Sequence, residues 1–319
     1  MPQKISASDA CYFLGFDGGG TKTDCVLADA EGRVLARATA GPSNPLRSGY
    51  TRAWFSLSDA ADAVLKAHKI RAAHVRGICA GLGGAGRSGV ARRATTFFER
   101  GFPNAQVRVT TDLEIALEAA FGTGEGMILL AGTGSAALAR DSQGRMARAG
   151  GRGPWFSDEG SSFDIGREAI RAVVLAEEGR GSATELSKRI FAWHQCRDWD
   201  SLVERIAKNP DDVFPKTFPL VAELADKDDA VARAILSTAA ASLAQLAACV
   251  AEQLGWRDKE VSVARLGGVF GRSKHFDAAI ETELKRLVPR ARIVPVGISP
   301  AEAAGRMAIR LDGAKGNAA

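Results

Sequence analysis

FLGFDGGGTKTDCVL, residues 13–27, places a glycine-rich turn between two apolar strands. The turn reads DGGGTK and consists of Asp17, Gly18, Gly19, Gly20, Thr21 and Lys22. Three consecutive glycines let the backbone approach a phosphate closely and point its N–H groups at the anion. Thr21 and Lys22 add a hydroxyl group and a cation, and Asp17 is a candidate for holding Mg²⁺, which proteins usually bind through water. The stretch predicts a phosphate-binding hairpin; three glycines alone also fit a plain tight turn.

The same pattern recurs 112 residues later in ILLAGTGSAAL, residues 128–138. Its turn consists of Gly132, Thr133, Gly134 and Ser135. At this offset Asp29 aligns with Asp141, and both copies read as strand, glycine turn, strand, polar turn, strand. We interpret the pattern as a duplication. It predicts two similar domains, 1–117 and 118–319, with a cleft between them, and a last helix able to pack back on the first domain.

The remaining chain alternates between helical and strand patterns, which is typical of an α/β protein with packed sheets. Helices are predicted over residues 53–68, 113–121, 166–178, 200–207, 229–254, 274–288 and 300–310, and further strands over 107–110, 262–266 and 292–296. The segment LGGVFGRS, residues 266–273, joins one such strand to a helix. Its glycines, Gly267, Gly268 and Gly271, suit either a tight turn or close approach to a nucleotide.

The composition excludes several classes of protein. Of 319 residues, 46% are hydrophobic and 25% charged, as in an ordinary globular protein. The net charge of +5 comes from dispersed Lys and Arg, whereas a nucleic-acid-binding surface needs clustered ones. The five cysteines lack metal-ligand spacing and read as free thiols of a reducing cytoplasm. We see neither a membrane-spanning apolar run nor an export leader at the N-terminus.

Several polar residues are candidates for a binding or catalytic role. Asp112 ends the segment VTTD and is either the N-cap of the following helix or a carboxylate that accepts a proton. Asp158 and Glu159 follow two aromatic residues, Trp155 and Phe156, which suggests a partly buried site. Asn44, in GPSNP, is either a turn residue or a substrate contact.

Taken in order along the chain, these motifs resemble the BadF/BadG/BcrA/BcrD-type ATPases, and within that family the N-acetylglucosamine kinases. DGGGTK and AGTGS look like its two phosphate motifs and LGGVFGRS like its adenosine motif. GGRGPWFSDEGSSFDIGR, residues 150–167, is similar to its sugar-site segment, and PAEAAGRMA, residues 300–308, to its closing helix. The resemblance covers nearly the whole chain.

The resemblance implies two actin-like, ribonuclease H-like domains that close over ATP, Mg²⁺ and a sugar, often in a homodimer. It also implies that Asp112 is the general base and that Asp158 and Asn44 bind the sugar. Further substrate contacts are expected from the neighbouring loops, at Gly84, Ser135, Gly151, Arg152 and Gly153. The implied reaction moves the γ-phosphate of ATP to the 6-hydroxyl of an amino sugar, with N-acetylglucosamine as the first candidate.

One segment departs from the family pattern. Animal N-acetylglucosamine kinases carry a tryptophan in a GWG segment where this chain has Gly151-Arg152-Gly153. The exchange leaves glucosamine or another sugar open as the substrate. Two other functions share the phosphate motifs: an ATPase activator of a radical acyl-CoA dehydratase or reductase, and a nucleotide-dependent sensor without turnover.

Overall fold

The computed structural model describes residues 11–316, so the segment 1–10, in which we expected no export leader, lies outside the described residues. The strands are β1 (Tyr12–Gly18), β2 (Thr23–Asp29), β3 (Val34–Ala40), β4 (Val75–Leu82), β5 (Gln106–Thr110), β6 (Gly126–Ala131), β7 (Ser135–Arg140), β8 (Met146–Gly150), β9 (Val261–Leu266) and β10 (Ala291–Val294). The helices are α1 (Pro45–Ser48), α2 (Tyr50–Ala67), α3 (Ser88–Gly101), α4 (Asp112–Phe121), α5 (Ser162–Glu177), α6 (Glu185–His194), α7 (Trp199–Lys208), α8 (Phe214–Ala225), α9 (Ala230–Gln253), α10 (Lys274–Leu287) and α11 (Pro300–Gly316).

The chain divides into two compact units. The first unit holds the described residues up to Thr123 together with those from Val296 onwards, and the second unit is Gly124–Pro295. The boundary that we expected near residue 117 falls inside α4, which runs to Phe121. The division therefore comes only after this helix has ended, and α11 belongs to the first unit.

Each unit is built on a five-stranded mixed sheet of the same topology. The first sheet has the order β3-β2-β1-β4-β5, and the second has β10-β9-β6-β7-β8, which is the same order read from the other edge. In both, three antiparallel strands lead into two parallel ones. The expected α/β class with two sheets is confirmed.

The two hairpins of the duplication also share their turn geometry. Asp29 Oδ1 accepts hydrogen bonds from the N–H groups of Glu31 and Arg33, at 3.1 and 2.9 Å. Asp141 Oδ1 accepts the equivalent bonds from Gln143 and Arg145, at 2.9 and 2.8 Å. In both turns the arginine side chain then pairs with the other carboxylate oxygen. The aligned Asp and Arg therefore stabilise the same turn twice.

Helix α11 packs directly on the first sheet at positions without side chains. A Cβ atom at Gly15, in the middle of β1, would overlap the backbone of Ala301 and Gly305 in α11. On β4, a Cβ atom at Gly77 would lie 2.6 Å from the carbonyl oxygen of Ala308. Small residues on both sides thus bring the helix backbone close to the strands, as close helix packing requires.

Helix α9 corrects one expectation from the sequence. By length and composition it is apolar enough to cross a membrane, although we expected no such run in the chain. The core helix of a soluble protein passes the same test, and α9 packs against α8, α10, β7 and β8. Its inward face is buried in the second unit through Leu236, Ala240, Leu243, Ala247 and Val250. We interpret α9 as the central core helix of this unit.

Candidate functional site

The first glycine turn, residues 18–22, joins β1 to β2 and forms a fixed backbone hairpin. The N–H of Gly19 donates to the carbonyl oxygen of Lys22 at 2.9 Å. A side chain at Gly18 would overlap the Ser43 hydroxyl group, so only glycine fits at this position. Buried Thr23, at the start of β2, donates to Ser43 Oγ at 2.7 Å and ties the turn to the loop that follows β3.

Two loops that were candidates for substrate binding meet this turn. The carbonyl oxygen of Gly19 accepts the N–H groups of Ser43 and Asn44, both at 3.0 Å, and that of Gly18 accepts the N–H of Gly83 at 2.7 Å. The sequence-predicted residues Asn44 and Gly84 thus lie in loops anchored to the predicted phosphate turn. Sheet topology explains this, because β1 and β4 are parallel neighbours and their carboxyl ends share one edge.

Asn44 has a structural role of its own. Its Oδ1 accepts the N–H of Leu46 at 3.1 Å and caps the short helix α1. Its amide group also lies beside Gly84, since a Cβ atom there would be 3.2 Å from Asn44 Oδ1. Gly84 has φ +87°, which favours glycine. Of the two roles left open for Asn44, the turn role is observed, and the sugar contact stays a prediction.

Two carboxylates lie at the same edge of the first sheet. Asp17 is near the end of β1, and Asp112 begins α4 directly after β5. Burial raises the pKa of Asp17 to about 7, with further contributions from the negative charges of Asp112 and Asp24 and a smaller opposing one from Lys22. Mg²⁺ is typically held by one or two carboxylates together with waters and phosphates. Asp17, with the charge of Asp112 nearby, therefore fits the role of a magnesium ligand.

The sequence left open whether Asp112 is the N-cap of α4, and the structure shows that its neighbour Thr111 is the N-cap. Thr111 has the extended backbone of a cap, and its hydroxyl oxygen accepts the N–H of Glu114 at 3.2 Å. Asp112 lies in the first helical turn, where its Oδ1 accepts the N–H of Leu113 at 3.0 Å. Since the cap is already supplied by Thr111, capping does not explain an aspartate at position 112.

The raised pKa of Asp17 predicts a pH-dependent cost to stability. Because folding favours the protonated form, ionising Asp17 destabilises the metal-free fold; the cost is absent below about pH 4, grows up to about pH 7 and is constant above it. We expect Asp17→Asn to raise the melting temperature in EDTA at about pH 8 and to leave it nearly unchanged at about pH 4. Asp62→Asn, on the exposed face of α2, is the control. An equal gain at both pH values would contradict the assignment.

Lys22, the cation of the predicted phosphate turn, is held by its own hairpin. Its Nζ lies 2.6 Å from Asp24 Oδ2, and 64% of the side chain is exposed. A different cation lies against the turn: the side chain of Arg47, on α1, comes within 3.0 Å of the position that a Cβ atom at Gly20 would occupy. Arg47 was not among the site residues predicted from the sequence. Its spacing of three residues from Asn44, on a short helix, was the available signal.

The second glycine turn, residues 132–135, is anchored in the second unit by two serines. The carbonyl oxygen of Gly132 accepts both the N–H and the hydroxyl group of Ser162, at 2.9 and 3.0 Å. The hydroxyl group of Ser135 donates to the carbonyl oxygen of Glu159 at 2.6 Å. These bonds fix the turn between β6 and β7 to the segment that leads into α5.

The third glycine-rich segment lies directly on the second turn. A side chain at Gly267, with φ +105°, would overlap the carbonyl group of Ala131, and the N–H of Val269 donates to that carbonyl oxygen at 3.0 Å. Gly268 and Gly271 face more open space, because a Cβ atom added at either position would have no other atom within 4 Å. The structure thus brings two of the predicted nucleotide-binding segments together, because β6 and β9 are parallel neighbours.

Asp158 lies against the second glycine turn and is only 5% exposed. A Cβ atom at Gly134 would be 2.8 Å from Asp158 Oδ2, and Asp158 has φ +65°, which a non-glycine residue rarely adopts. The aromatic residues before it do not cause this burial, contrary to our expectation. Trp155 and Phe156 are 64% and 87% exposed, whereas the Asp158 carboxylate lies against Gly134. The carboxylate of Glu159 is exposed, and its backbone carbonyl anchors the loop.

The loop with the departure from the family pattern follows β8. Arg148 Nη2 donates to the carbonyl oxygen of Gly151 at 2.6 Å and holds the loop. Gly153 has φ +113°, which favours glycine, and Arg152 between the two glycines is exposed. A Cβ atom at Gly151 would lie 3.1 Å from Cβ of Ala136, the residue after the second glycine turn. The loop therefore lies beside that turn.

Comparison with known proteins identifies the family. Residues 14–303 match the model of the BadF/BadG/BcrA/BcrD ATPase family. An N-acetylmuramic acid/N-acetylglucosamine kinase of Clostridium acetobutylicum is 29% identical over 89% of this chain and 93% of its own length. An N-acetyl-D-glucosamine kinase of Dictyostelium discoideum is 27% identical over 93% and 97% of the two chains.

Among solved structures, a putative N-acetylglucosamine kinase of Chromobacterium violaceum is similar in fold. It superimposes with a TM-score of 0.76 at 27% identity, over 94% of this chain and 99% of its own. The family resemblance that the motifs indicated is confirmed. The expected fold, which this structure shares, is confirmed as well.

Proposed function

The chain belongs to the BadF/BadG/BcrA/BcrD ATPase family, and from this we propose that it is an ATP-dependent kinase that phosphorylates an amino sugar. The two relatives described above, both named as N-acetylglucosamine kinases, support this reaction over the other activities of the family. The observation that carries the proposal is the pair of carboxylates, Asp17 and Asp112, at the edge of the sheet that also holds the first glycine turn.

In the first unit, the proposed roles follow from the chemistry of phosphoryl transfer. Such a reaction needs a carboxylate to accept the proton of the attacking hydroxyl group and fixed groups that hold the phosphates. We propose that Asp112 accepts the proton of the attacking hydroxyl group and that Asp17 holds Mg²⁺. The phosphates are proposed to bind to the backbone and side chains of Gly18, Gly19, Gly20, Thr21 and Lys22. Bound Mg²⁺ would neutralise charge on the phosphates. Asn44 and Gly84, anchored to the same turn, would contact the sugar.

In the second unit, Gly132, Thr133 and Gly134 are proposed to bind phosphate, and Gly267, Gly268 and Gly271 the rest of the nucleotide. Ser135 and Asp158 are proposed to bind sugar hydroxyl groups, as is the loop Gly151, Arg152 and Gly153. The position of the Asp158 carboxylate supports this role, because it lies directly against the second glycine turn at Gly134. We propose the 6-hydroxyl group as the acceptor and N-acetylglucosamine as the first candidate sugar.

Glucosamine is the second candidate, and the observation that favours it is Arg152. The side chain at this position is exposed and charged, whereas an aromatic side chain there could pack on the methyl group of an N-acetyl substituent. The working form of the enzyme is proposed to be a cytoplasmic homodimer, which needs neither nucleic acid nor a membrane.

The activator of a radical dehydratase is disfavoured by the environment of Cys79. An iron–sulfur cluster binds thiolates, so a ligand cysteine must lose its proton readily. Cys79 is fully buried in β4, and burial raises its pKa to about 12. This residue therefore does not suit the ligand role.

The proposal is tested by measuring ADP release from MgATP with a panel of sugars. The panel contains N-acetylglucosamine, glucosamine, glucose, N-acetylmannosamine and N-acetylmuramic acid. We expect strong stimulation by one amino sugar, with the matching sugar phosphate found by mass spectrometry and the phosphate placed on the 6-hydroxyl group by NMR. Hydrolysis that is equal with every sugar and without sugar would overturn the kinase proposal, and the iron content would then be measured.

A further inference from the structure

The side chain of Arg47, on α1, lies against the first glycine turn. A Cβ atom at Gly20 would be 3.0 Å from Arg47 Cδ and 3.2 Å from its Nη1, so the guanidinium group lies along the glycine backbone. This contact exists only because position 20 has no side chain. Arg47 is also partly buried, unlike a cation that extends freely into water.

Short-range structure fixes the position of Arg47. It is the third residue of α1, whose first turn is capped by Asn44 and begins with buried Pro45. The N–H of Arg47 itself donates to the Asn44 carbonyl oxygen at 3.1 Å. Since Asn44 is in turn bonded to Gly19, the arginine and the glycine turn are parts of one hydrogen-bonded assembly. A preorganised cation loses little freedom when it binds an anion.

Lys22 is positioned less well for the same task. Its ammonium group is paired with Asp24 on β2, and the Asp24 carboxylate also accepts the hydroxyl group of Thr39 at 2.6 Å. The Lys22 side chain is also 64% exposed, whereas Arg47 is half-buried against the glycine turn.

The glycine backbone next to Arg47 offers a donor for an anion. Within the part of the chain that the structure describes, no acceptor is found for the N–H of Gly20. A phosphate oxygen bound there would lie beside the guanidinium group, whose planar donors suit phosphate better than a lysine does. Apart from Lys22, which is paired with Asp24, the charges that act on this edge are negative, from Asp17, Asp112 and Asp24. A polyphosphate at this edge therefore needs a protein cation as well as Mg²⁺.

We propose that Arg47, rather than Lys22, is the protein cation that contacts the transferred γ-phosphate on the first glycine turn. The inference rests on the proposed kinase function. The γ-phosphate is assigned because the proton acceptor, Asp112, must reach the hydroxyl group that attacks it, and the Asp112 charge acts directly on Asp17 beside the turn. Arg47 is then a catalytic residue that the family motifs alone do not single out.

The test compares four variants: Arg47→Met, Arg47→Lys, Lys22→Met and, as a matched control on exposed α2, Arg52→Met. Calorimetry in Mg²⁺ without sugar measures affinity for a non-hydrolysable ATP analogue and for ADP, and ADP release measures turnover. We expect Arg47→Met to lower kcat about 100-fold and to weaken the binding of the ATP analogue more than the binding of ADP. Arg47→Lys should recover part of both losses, Lys22→Met should lose less than Arg47→Met, and Arg52→Met should match the wild type.

Three outcomes would overturn the inference. The first is an Arg47→Met enzyme with kcat within about twofold of the wild type. The second is an Arg47→Met enzyme in which only the KM for the sugar differs from that of the wild type, because Arg47 would then be a sugar contact. The third is a larger loss in Lys22→Met than in Arg47→Met. If the wild type shows no sugar-dependent turnover, the proposed function fails, and the nucleotide affinities still decide whether Arg47 contacts the γ-phosphate. If Arg47→Met does not fold, Arg47→Gln takes its place in the comparison.

Discussion

Replacing Asp112 by asparagine is expected to lower kcat about 1,000-fold and to change the affinity for MgATP by less than about threefold. Asparagine keeps an oxygen that accepts the N–H of Leu113, so the first turn of α4 should be unaffected. It cannot accept the proton of the sugar hydroxyl group, and that is the step which the variant removes. ADP release under saturating sugar gives kcat, and calorimetry gives the nucleotide affinity.

Glu114→Gln is the matched control for Asp112→Asn. Glu114 is in the same first turn of α4, where its carboxylate lies 3.5 Å from the Arg108 side chain at a partly exposed position. Removing this charge should leave kcat nearly unchanged. An Asp112→Asn enzyme with wild-type turnover would refute Asp112 as the base. Equal losses in the two variants would instead point to a general effect of negative charge at this helix terminus.

Replacing Gly15 by alanine is expected to destabilise the protein by about 3 kcal/mol, a large effect for one methyl group. The added Cβ atom would overlap the carbonyl oxygen of Ala301 and the N–H of Gly305, which are backbone atoms of α11 and cannot rotate away. Helix α11 would have to move off β1, with loss of its contacts to the sheet. Thermal and denaturant unfolding would measure the change.

Gly89→Ala is the control for this prediction. Gly89 lies in α3 with no atom within 4 Å of an added Cβ atom, so alanine should stabilise that helix by about 0.5–1 kcal/mol. Opposite signs in the two variants would show that steric overlap with α11, and not the loss of glycine as such, causes the destabilisation. A Gly15→Ala protein as stable as the wild type would mean that α11 does not pack tightly on β1.

The features that the sequence predicted well depend on neighbours along the chain. The hairpin turns at Asp29 and Asp141 are closed by residues two and four positions later, so their chemistry can be recognised in the sequence. The glycine turns and the sheet edge of Asp17 and Asp112 follow from the same local patterns combined with parallel strand order.

The features that the sequence did not predict depend on contacts between distant segments or on exceptions to local rules. Helix α8 was missed because Pro215 and Pro219 discourage a helix; Pro215 is in the first turn, where no intrahelical N–H bond is lost, whereas Pro219 lies inside the helix. The pairing of Lys22 with Asp24 and the contact of Arg47 with Gly20 need side-chain positions that spacing alone does not give. The contact of the Asp158 carboxylate with Gly134 likewise brings together two separate segments of the chain.

The place of α11 in the first unit has a consequence for synthesis on the ribosome. Phe13, Cys79 and Ile115 pack in one core with Ala304, Met307 and Ala308, which are translated after the whole of the second unit. The second unit, Gly124–Pro295, is continuous and can complete its core as soon as it emerges. Domains usually fold from the N-terminus onwards during translation. Here the nascent first unit lacks α11 until the whole of the second unit has been made, so the first unit completes its core after the second unit.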